Sequence, residues 1–543
     1  MGSGGATPNR PPIVANPNEN QRIAAGQLVS YDATQGGVVF SDPDGDPLHY
    51  TVTLGTSVQG LSVAGTSITG RTSSDATGSV AVSITATDGR GGSATNSFLI
   101  DIFVNGAPVS TAPDILRIVD VGVAADIDVA RDNATFRDPE GGPLQYAVSL
   151  AQPSNGLSVA GTHITGIPAG AAVTRVSVRA TDQYGAAAEK VFSIVAAATA
   201  SSRPVLTTPG FVYEDAQLPL PYMLRLSGES RVPLWDTTPL SNPITNAGAT
   251  LGRVLFYDKR LSITNSMSCA SCHEQSHGFA SSSRFNTGVM GVPLTRQAMP
   301  LANVRYNMND LYFSDTRVAT LEQLALMPIQ EPMELGSPLD QLVSKLAATD
   351  FYPPLFNSAF GTPEISSDRI ARALAQFLRS MISYRSPKDR ATLTMENGNV
   401  PQTPPYQFTA QEQRGWNIYV GKGCVFCHSD DVHTNPSPAN NGLDAVFTDP
   451  GAGGGRFRAA SLQNIAVTGP YMHDGRFSTL REVIDHYDHG IQFSADLAGL
   501  LTDRGQPLRL NLSEDDKLAL EAFLGTLTDN EFLTDPKFSN PFP

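Results

Sequence analysis

The strings Cys269-Ala-Ser-Cys-His273 and Cys424-Val-Phe-Cys-His428 use all four cysteines of the chain. Each is a Cys-x-x-Cys-His motif, in which one turn of backbone brings two thiols within reach of the two vinyl groups of one porphyrin. The histidine that follows reaches the iron as its proximal ligand. The sequence therefore predicts two covalently attached c-type haems. The predicted attachment and ligand residues are Cys269, Cys272 and His273 for the first haem, and Cys424, Cys427 and His428 for the second.

A zinc ion held by all four thiolates is the alternative explanation of the cysteines. It would leave both histidines without a role, and it would have to bring two cysteine pairs together across a long stretch of sequence. Two complete copies of the motif with no cysteine left over favour haem.

Length and composition set broad limits on the chain. Its 543 residues are too many for one ordinary core, and three or four domains are expected. No run approaches the about 18 apolar residues of a membrane helix, so the sequence predicts no transmembrane segment. The net charge of -15 argues against nucleic acid and anionic membrane surfaces as partners.

The predicted haems also indicate where the protein resides, because thioethers to haem are formed outside the cytoplasm. We expect an exported bacterial protein that is periplasmic or attached to the outer membrane or cell surface. Residues 1–10 form a polar, flexible leader that resembles the segment after the lipidated cysteine of bacterial lipoproteins. This resemblance predicts a lipid anchor on the native precursor. Ala6 stands where a myristoylation motif needs Ser or Thr.

The first third of the chain contains an internal repeat. The string Phe40-Ser-Asp-Pro-Asp-Gly-Asp-Pro-Leu-His-Tyr50 recurs in altered form over 136–146, and Gly60-Leu-Ser-Val-Ala-Gly-Thr66 recurs over 156–162. Both second copies begin 96 positions after the first (136 against 40, and 156 against 60). Alternating apolar residues between Gly, Asp and Pro turns predict short antiparallel strands in each copy.

Two all-β sandwiches are therefore expected, over residues 11–104 and 105–197. Their length of about 95 residues is that of an immunoglobulin-like domain. They resemble the cadherin-like immunoglobulin modules of bacterial surface proteins. Acidic residues in the turns of the first unit suit either a calcium site or solvated turns, and turns are the commoner use. These acidic residues are Asp42, Asp44, Asp46 and Asp88.

Helical patterns dominate after a linker rich in Ala, Ser, Thr and Pro. Residues 368–382 carry apolar side chains on one helix face, Thr409-Ala-Gln-Glu412 is a capping box, and Ser513-Glu-Asp-Asp516 starts a final helix through Leu527. Helices joined by long loops are typical of cytochrome c domains, which use the porphyrin as part of their core. We expect two mainly α cytochrome c domains after the sandwiches. The predicted bounds are 198–235 for the linker, 236–400 for the first domain and 401–543 for the second.

Five strings in this region resemble those of the bacterial dihaem cytochrome c peroxidases and their MauG-like relatives, over about 300 positions. Their order along the chain is that of the family. The strings are Ala249-Thr-Leu-Gly-Arg-Val-Leu-Phe-Tyr-Asp258, Ser268-Cys-Ala-Ser-Cys-His273, Met327-Pro-Ile-Gln-Glu-Pro-Met-Glu334, Ala371-Arg-Ala-Leu-Ala-Gln-Phe377 and Gly469-Pro-Tyr-Met-His-Asp-Gly475.

The resemblance implies that the first haem carries the peroxide site and the second stores or relays electrons. In the family a carboxylate near the segment 332–334 moves the peroxide proton, so Glu334 is the predicted catalytic acid-base group and Glu331 the weaker competitor. A distal histidine before the segment 301–303 is usual in the family. The loop 278–302 has none, so we expect an open first haem and a surface position for His277.

The second haem separates the subfamilies. Electron-relay peroxidases place a methionine as its sixth ligand in the helix after the His-Asp-Gly motif, whereas MauG-like proteins place a tyrosine there. The resemblance puts Tyr487 at that position. A phenolate is a hard anionic donor that stabilises oxidised iron, and a thioether raises the potential. His486, His489 and Met472 are the alternative ligands.

Two further features follow from the resemblance. The family binds a calcium ion between the haems, and the equivalent residues here are Asn303, Thr468 and Pro470. The family also has a tryptophan between the haems, where this chain has Ser314. We expect weaker coupling between the haems unless Tyr312 or Phe313 substitutes for it.

The resemblance thus predicts an enzyme that reduces hydrogen peroxide and oxidises a protein or a small redox partner. An ordinary cytochrome c peroxidase fed by a small cytochrome or cupredoxin is the first alternative. A protein that only transfers electrons, or an adhesion protein that acts through its sandwiches, is the second. For the sandwiches themselves, a tether or docking role is expected.

Overall fold

The computed structural model describes residues 8–55, 60–110, 116–130, 136–198, 203–208, 210–213, 236–307, 311–396, 406–428 and 435–543. Most of the predicted leader, most of the linker and the segment around the predicted boundary at residue 400 lie outside the described residues.

Two successive units near the N-terminus consist of strands, most of them short, although the longest have 11 residues and not the short length that the sequence predicted. Those of the first unit are β1 Ile13–Val14, β2 Gln21–Ala24, β3 Leu28–Asp32, β4 Phe40–Ser41, β5 His49–Leu54, β6 Leu61–Ala64, β7 Ser67–Arg71, β8 Gly78–Thr87 and β9 Ser93–Phe103. Those of the second are β10 Val109–Ser110, β11 Leu116–Asp120, β12 Ala125–Asp128, β13 Phe136–Arg137, β14 Leu144–Leu150, β15 Leu157–Ala160, β16 His163–Gly166, β17 Ala172–Asp182 and β18 Ala187–Ala197.

Both units have the same topology. A four-stranded sheet, ordered β2-β9-β8-β5 in the first unit and β11-β18-β17-β14 in the second, faces a three-stranded sheet, β3-β7-β6 or β12-β16-β15. Alternate residues of β8, such as Val80, Val82 and Ile84, are fully buried between the sheets. The predicted pair of all-β immunoglobulin-like sandwiches is confirmed.

The acidic turn of the first sandwich is held by contacts within the protein. One carboxylate oxygen of Asp42 accepts from the backbone N–H groups of Asp44 and Asp46, at 2.8 and 3.1 Å. Asp44 also pairs with Arg10, and Asp46 with Arg90. These contacts are those of a turn-forming cluster.

The rest of the chain is mainly helical, with long irregular connections. Its helices are α1 Asn246–Tyr257, α2 Leu321–Gln330, α3 Leu339–Ala347, α4 Tyr352–Phe360, α5 Ser367–Ser380, α6 Pro387–Glu396, α7 Ala410–Gly421, α8 Leu480–Asp485, α9 Glu514–Gly525 and α10 Asn530–Thr534. The described residues of this region also form the short strands β19 Asn435–Ala439, β20 Phe457–Ala459, β21 Thr502–Asp503 and β22 Gln506–Pro507.

The predicted helix starts are confirmed at α7 and α9, where Thr409 and Ser513 form capping boxes with Glu412 and Asp516. The expectation of a final helix through Leu527 was wrong. Helix α9 ends at Gly525, and the short helix α10 follows it because Asp529 caps a new start.

Two helix pairs organise the haem region, and each pair touches at a glycine. A Cβ atom on Gly252 of α1 would lie 2.0 Å from the carbonyl oxygen of Ala373 in α5. A Cβ atom on Gly415 of α7 would lie 2.0 Å from that of Ala519 in α9. Each motif cysteine pair follows the first helix of its pair. This duplication suits two cytochrome c domains, although the predicted domain bounds stay a prediction.

The end of the chain returns to the first half of the haem region. Phe532 and Phe538 lie in the same buried cluster as Phe256, Phe279 and Phe377. The rings of Phe279 and Phe532 are 5.7 Å apart, edge to face. The core of the first half therefore depends on residues from the C-terminus.

Among the described residues, no helix has both the length and the apolar character needed to cross a bilayer.

We expect Gly415→Ala to destabilise the protein by about 1–3 kcal/mol, the usual cost of overpacking. The reason is the Cβ atom that would overlap the α9 backbone. Thermal unfolding followed by circular dichroism measures this. Gly421→Ala is the matched control, because a Cβ atom there meets open space. Equal midpoints for the two variants would contradict the close contact.

Candidate active site

The two Cys-x-x-Cys-His motifs have the same local backbone. Cys269–Ser271 and Cys424–Phe426 are single 3-10 turns. The backbone N–H of each motif histidine donates to the carbonyl of the first cysteine of its motif, at 3.0 and 2.9 Å. Each turn thus holds two half-buried thiols and an imidazole together, as haem attachment requires.

The four-thiolate zinc site is not formed. Within the described ranges, which include all four cysteines, two groups of three or more His, Cys, Asp and Glu side chains lie close enough to share an ion. Neither group contains a cysteine. Burial raises the pKa of the Cys269 thiol to about 12 and that of Cys424 to about 11.

His273 is oriented as an iron ligand needs to be. Its Nδ1 atom lies 2.8 Å from the carbonyl oxygen of Phe279 and donates to it, which leaves Nε2 for the metal. Desolvation lowers the pKa of His273, which favours the neutral imidazole that a metal ion needs.

A cavity of about 740 Å³ lies beside the first motif, within the usual size range of ligand pockets. Cys272 and His273 form part of its wall. The other lining residues lie within the segments 285–304, 312–328, 440–458 and 473–476, together with Glu334. Both halves of the haem region therefore contribute to the pocket next to the first motif.

Arg458 contributes a buried positive charge to the wall of this cavity. Its guanidinium is buried, and desolvation lowers its pKa to about 10. One terminal nitrogen donates to Asn307 and to the carbonyl of Leu311, whereas Nε has no hydrogen-bond partner among the residues that the structure describes. Burying a cation with an unsatisfied donor is costly unless an anion compensates it. A group with carboxylates, such as haem, fits this wall.

Glu334 lies in the same cavity wall as His273. Its backbone carbonyl oxygen accepts a hydrogen bond from the N–H of Val289 at 2.9 Å. This bond fixes the backbone from which the Glu334 side chain extends. Burial raises the pKa of Glu334, the negative charge of Glu331 adds to this, and Arg317 acts against it. A carboxyl group with a raised pKa in a cavity is suited to proton transfer.

Glu331, the weaker competitor, lies elsewhere. It is the exposed residue that ends α2, and its carboxylate accepts from the N–H of Met333 at 3.3 Å. It is absent from the cavity lining, so the structure brings Glu334 and not Glu331 to the first motif.

The segments that follow the two motifs fold alike. An antiparallel bridge closes each turn, between Tyr312 and Val318 in the first and between Tyr471 and Phe477 in the second. The residue after each tyrosine has positive φ, 64° in the first turn and 75° in the second. Tyr312 and Tyr471 are 159 positions apart, so this offset relates equivalent positions.

The offset pairs Tyr487 with Pro328. Pro328 lies inside α2 and lines the cavity, and its ring has no atom that binds iron. His277 hydrogen-bonds to Ser276, lies 3.5 Å from Glu274 and does not line the cavity. The arrangement is consistent with an open first haem. Pro328 was missed in the sequence because only the folded repeat shows its equivalence to Tyr487.

Tyr487 lies near the second motif, in a π-helical turn over His486–Gly490. Burial raises its pKa, hydrogen bonding with the Asn441 side chain lowers it, and the Cys427 and Cys424 thiols are near enough to raise it further. Asn441 also donates to the sulfur of Met472 at 3.5 Å. The phenol of Tyr487 and the thioether of Met472, two of the four candidate ligands, therefore contact the same amide, the side chain of Asn441.

The two candidate histidines are placed differently. Nε2 of buried His486 is 3.1 Å from the carbonyl oxygen of Asn441. The His489 side chain is 64% exposed and lies 3.1 Å from Asp488. Neither histidine shares the position of Tyr487 beside the cysteines.

The residues predicted to bind calcium lie in a buried polar network. The amide of Asn303 exchanges two hydrogen bonds with the backbone of Ser383, at 2.9 and 2.8 Å. The Thr468 hydroxyl donates to the carbonyl of Ile465 at 3.4 Å, and Pro470 follows in the same loop. The Asn303 amide oxygen thus already has a donor, and the calcium site stays a prediction.

Aromatic residues surround the position where the family has tryptophan. Ser314 lines the cavity, and its carbonyl accepts from the Arg458 N–H at 2.8 Å. Tyr312 and Phe313 line it as well. The rings of Phe457 and His473, also in the wall, stack at 3.8 Å. Sequence reasoning missed this stack because nothing local pairs the two residues.

Comparisons with known proteins agree with these features. A family model described as di-haem cytochrome c peroxidase matches residues 246–397, and one described as bacterial Ig domain matches residues 9–101. The methylamine utilization protein MauG of Methylorubrum extorquens is 35% identical over 300 residues, which cover 53% of this chain and 80% of that protein. The cytochrome c551 peroxidase of Nitrosomonas europaea is 28% identical over 305 residues, 54% of this chain and 82% of that protein.

A solved structure leads to the same assignment. The crystal structure of a MauG-like protein associated with microbial copper homeostasis has a TM-score of 0.51 and 31% identity, and the match covers 60% of this chain and 99% of that one. The haem region has the fold of these proteins, the family implies two c-type haems, and the chain belongs to the dihaem cytochrome c peroxidase and MauG family.

Proposed function

We propose that the protein reduces hydrogen peroxide at the first haem and oxidises a protein or a small redox partner, with a MauG-like second haem. The observation that carries the proposal is the position of Glu334 in the cavity that His273 lines. The family assignment supports a peroxidase or a related oxidoreductase.

The cofactors would be held by the two motifs, with His273 and His428 as the proximal ligands and Arg458 facing an anionic group of the first haem. When bound, haem supplies the electrons that cleave the peroxide bond. Glu334 takes the proton from one peroxide oxygen and gives it to the other, which leaves as water. With two protons from solvent and two electrons from the partner, one peroxide gives two waters.

Tyr487 is the proposed sixth ligand of the second haem, and Asn441 the group that orients it. The contact of Asn441 with the Met472 sulfur favours a second candidate, an ordinary cytochrome c peroxidase with a thioether ligand. The proposal further includes a calcium ion at Asn303, Thr468 and Pro470, and export from the cytoplasm.

We expect Glu334→Gln to keep both haems and to slow the reaction with peroxide by about 100-fold, because an amide cannot shuttle the proton. Stopped-flow mixing with hydrogen peroxide measures the rate. In the unchanged protein the rate should fall as the pH drops through the raised pKa of Glu334, since only the carboxylate accepts a proton. This dependence should be absent from the variant.

Glu331→Gln is the control for that experiment, because its carboxylate is exposed and outside the cavity wall. At a pH above the pKa of Glu334 it should react with peroxide at the original rate, and the fall in rate should begin at a lower pH because the negative charge of Glu331 no longer raises that pKa. A full rate in Glu334→Gln, with haem content verified by the pyridine haemochrome assay, would remove Glu334 from the mechanism.

Tyr487→Phe should change the low-spin ferric signal in electron paramagnetic resonance and leave the high-spin signal of the open first haem unchanged. The reason is that only the second iron loses a ligand. Met472→Leu is the matched control, since this side chain contacts the same Asn441 amide. A signal altered only in Met472→Leu would assign the thioether as the ligand and favour the second candidate.

A further inference from the structure

Val195 is buried on the face of a strand that ought to be exposed. In β18 the even positions, such as Ile194, point into the core of the second sandwich. The odd positions therefore face outward. Val191 on this outer face is 55% exposed, but Val195 is 0% exposed. Residues from another part of the chain must therefore pack against Val195.

The residues that pack against Val195 belong to the haem region. Val195 forms a separate buried cluster with Ile263 and Val289, and Met267 and Met290 pack against it. These residues lie on either side of the first haem motif in sequence. The second sandwich therefore makes an apolar contact with the domain that carries the peroxide site.

Backbone contacts fix the sandwich at the same place. The N–H of Ala198, one residue after β18, donates to the carbonyl of Thr264 at 2.8 Å. The Asn265 side chain donates to the carbonyl of Ala198 at 3.1 Å. Lys345 in turn donates to the Asn265 amide oxygen at 2.8 Å. The end of β18 is thus hydrogen-bonded to the segment that precedes Cys269.

The two residues that Val195 contacts also hold the backbone of Glu334. The N–H of Val289 donates to the carbonyl of Glu334, and the N–H of Ile263 donates to that of Leu335, both at 2.9 Å. Gly288 packs so closely on this segment that a Cβ atom would lie 1.8 Å from the carbonyl oxygen of Met333. The second sandwich therefore packs on Ile263 and Val289, and these two residues hold the backbone at Glu334.

We propose that the second sandwich is a part of the peroxide site, in which Val195 positions Glu334 through Ile263 and Val289. This inference rests on the proposed function for its effect on catalysis. It assigns to the sandwich a role other than that of a tether.

The first test is hydrogen exchange of the full-length holoprotein, read by mass spectrometry on peptides that contain Ile263 and Val289. Val195→Asp, which places a charge in the apolar contact, should speed exchange at these amides by about tenfold or more. Val191→Asp, on the same strand face but exposed, should leave it unchanged. Val195→Ala, a milder truncation, should shift it in the same direction.

The second test is a double-mutant cycle in peroxide turnover. Val195→Asp should slow the reaction by about tenfold, because small displacements of a reacting group cost that much or more. In the Glu334→Gln background the same change should cost nothing further, since the group it positions is already absent. Haem content and the circular dichroism of the sandwiches are measured in parallel, and Val195→Ala decides the outcome if Val195→Asp unfolds its sandwich.

The possible results separate the two proposals. If Glu334→Gln reacts at full rate, the proposed function fails, and hydrogen exchange alone still tests the contact. If Glu334→Gln is slow while the Val195 variants react and exchange like Val191→Asp, the inference is overturned. Losses that add in the double variant also overturn it, because Val195 would then act on something other than Glu334.

Discussion

The haem region depends on two close contacts between helices, each made where a glycine meets a carbonyl oxygen. Gly252 lets α1 pack directly on α5, and Gly415 lets α7 pack directly on α9. At each contact an added Cβ atom would lie 2.0 Å from a carbonyl oxygen of the facing helix. In both places the first helix leads into a motif turn. Because the backbones approach so closely, each of the two helix pairs has little freedom to shift.

The repeated framework makes the differences between the two halves informative. Equivalent turns and helices follow both motifs, so a residue that differs between them changes the site and not the scaffold. Pro328 occupies in the first half the position that Tyr487 occupies in the second. A ring without a donor atom in one half and a phenol beside two cysteines in the other are the basis of the proposed difference between the haems, an open position at the first iron and a tyrosine ligand at the second.

Local patterns were enough to predict much of this protein. The Cys-x-x-Cys-His motifs, the sandwich repeats and the capping boxes at Thr409 and Ser513 each lie within a few residues of sequence. Contacts between distant segments were not predictable in this way. Phe532 in the core of the first half and Val195 under the haem region pair with residues far away in the chain, and an apolar residue carries no sign of its partner. Arg458 is a similar case, since its burial depends on the assembled cavity.

The electrostatics of Glu334 show why its surroundings matter as much as its position. The positive charge of Arg317 lowers the pKa of Glu334. The charge of Arg317 is shared, however, because it pairs with Asp315, which also binds Arg296. Burial therefore outweighs the attraction and the pKa stays raised. The backbone of the segment 333–336 accepts hydrogen bonds from Ile263 and Val289, which share a buried cluster with Val195 of the second sandwich. Under the proposal that Val195 positions Glu334, these contacts link the fold of an apparently separate domain to the chemistry of the site.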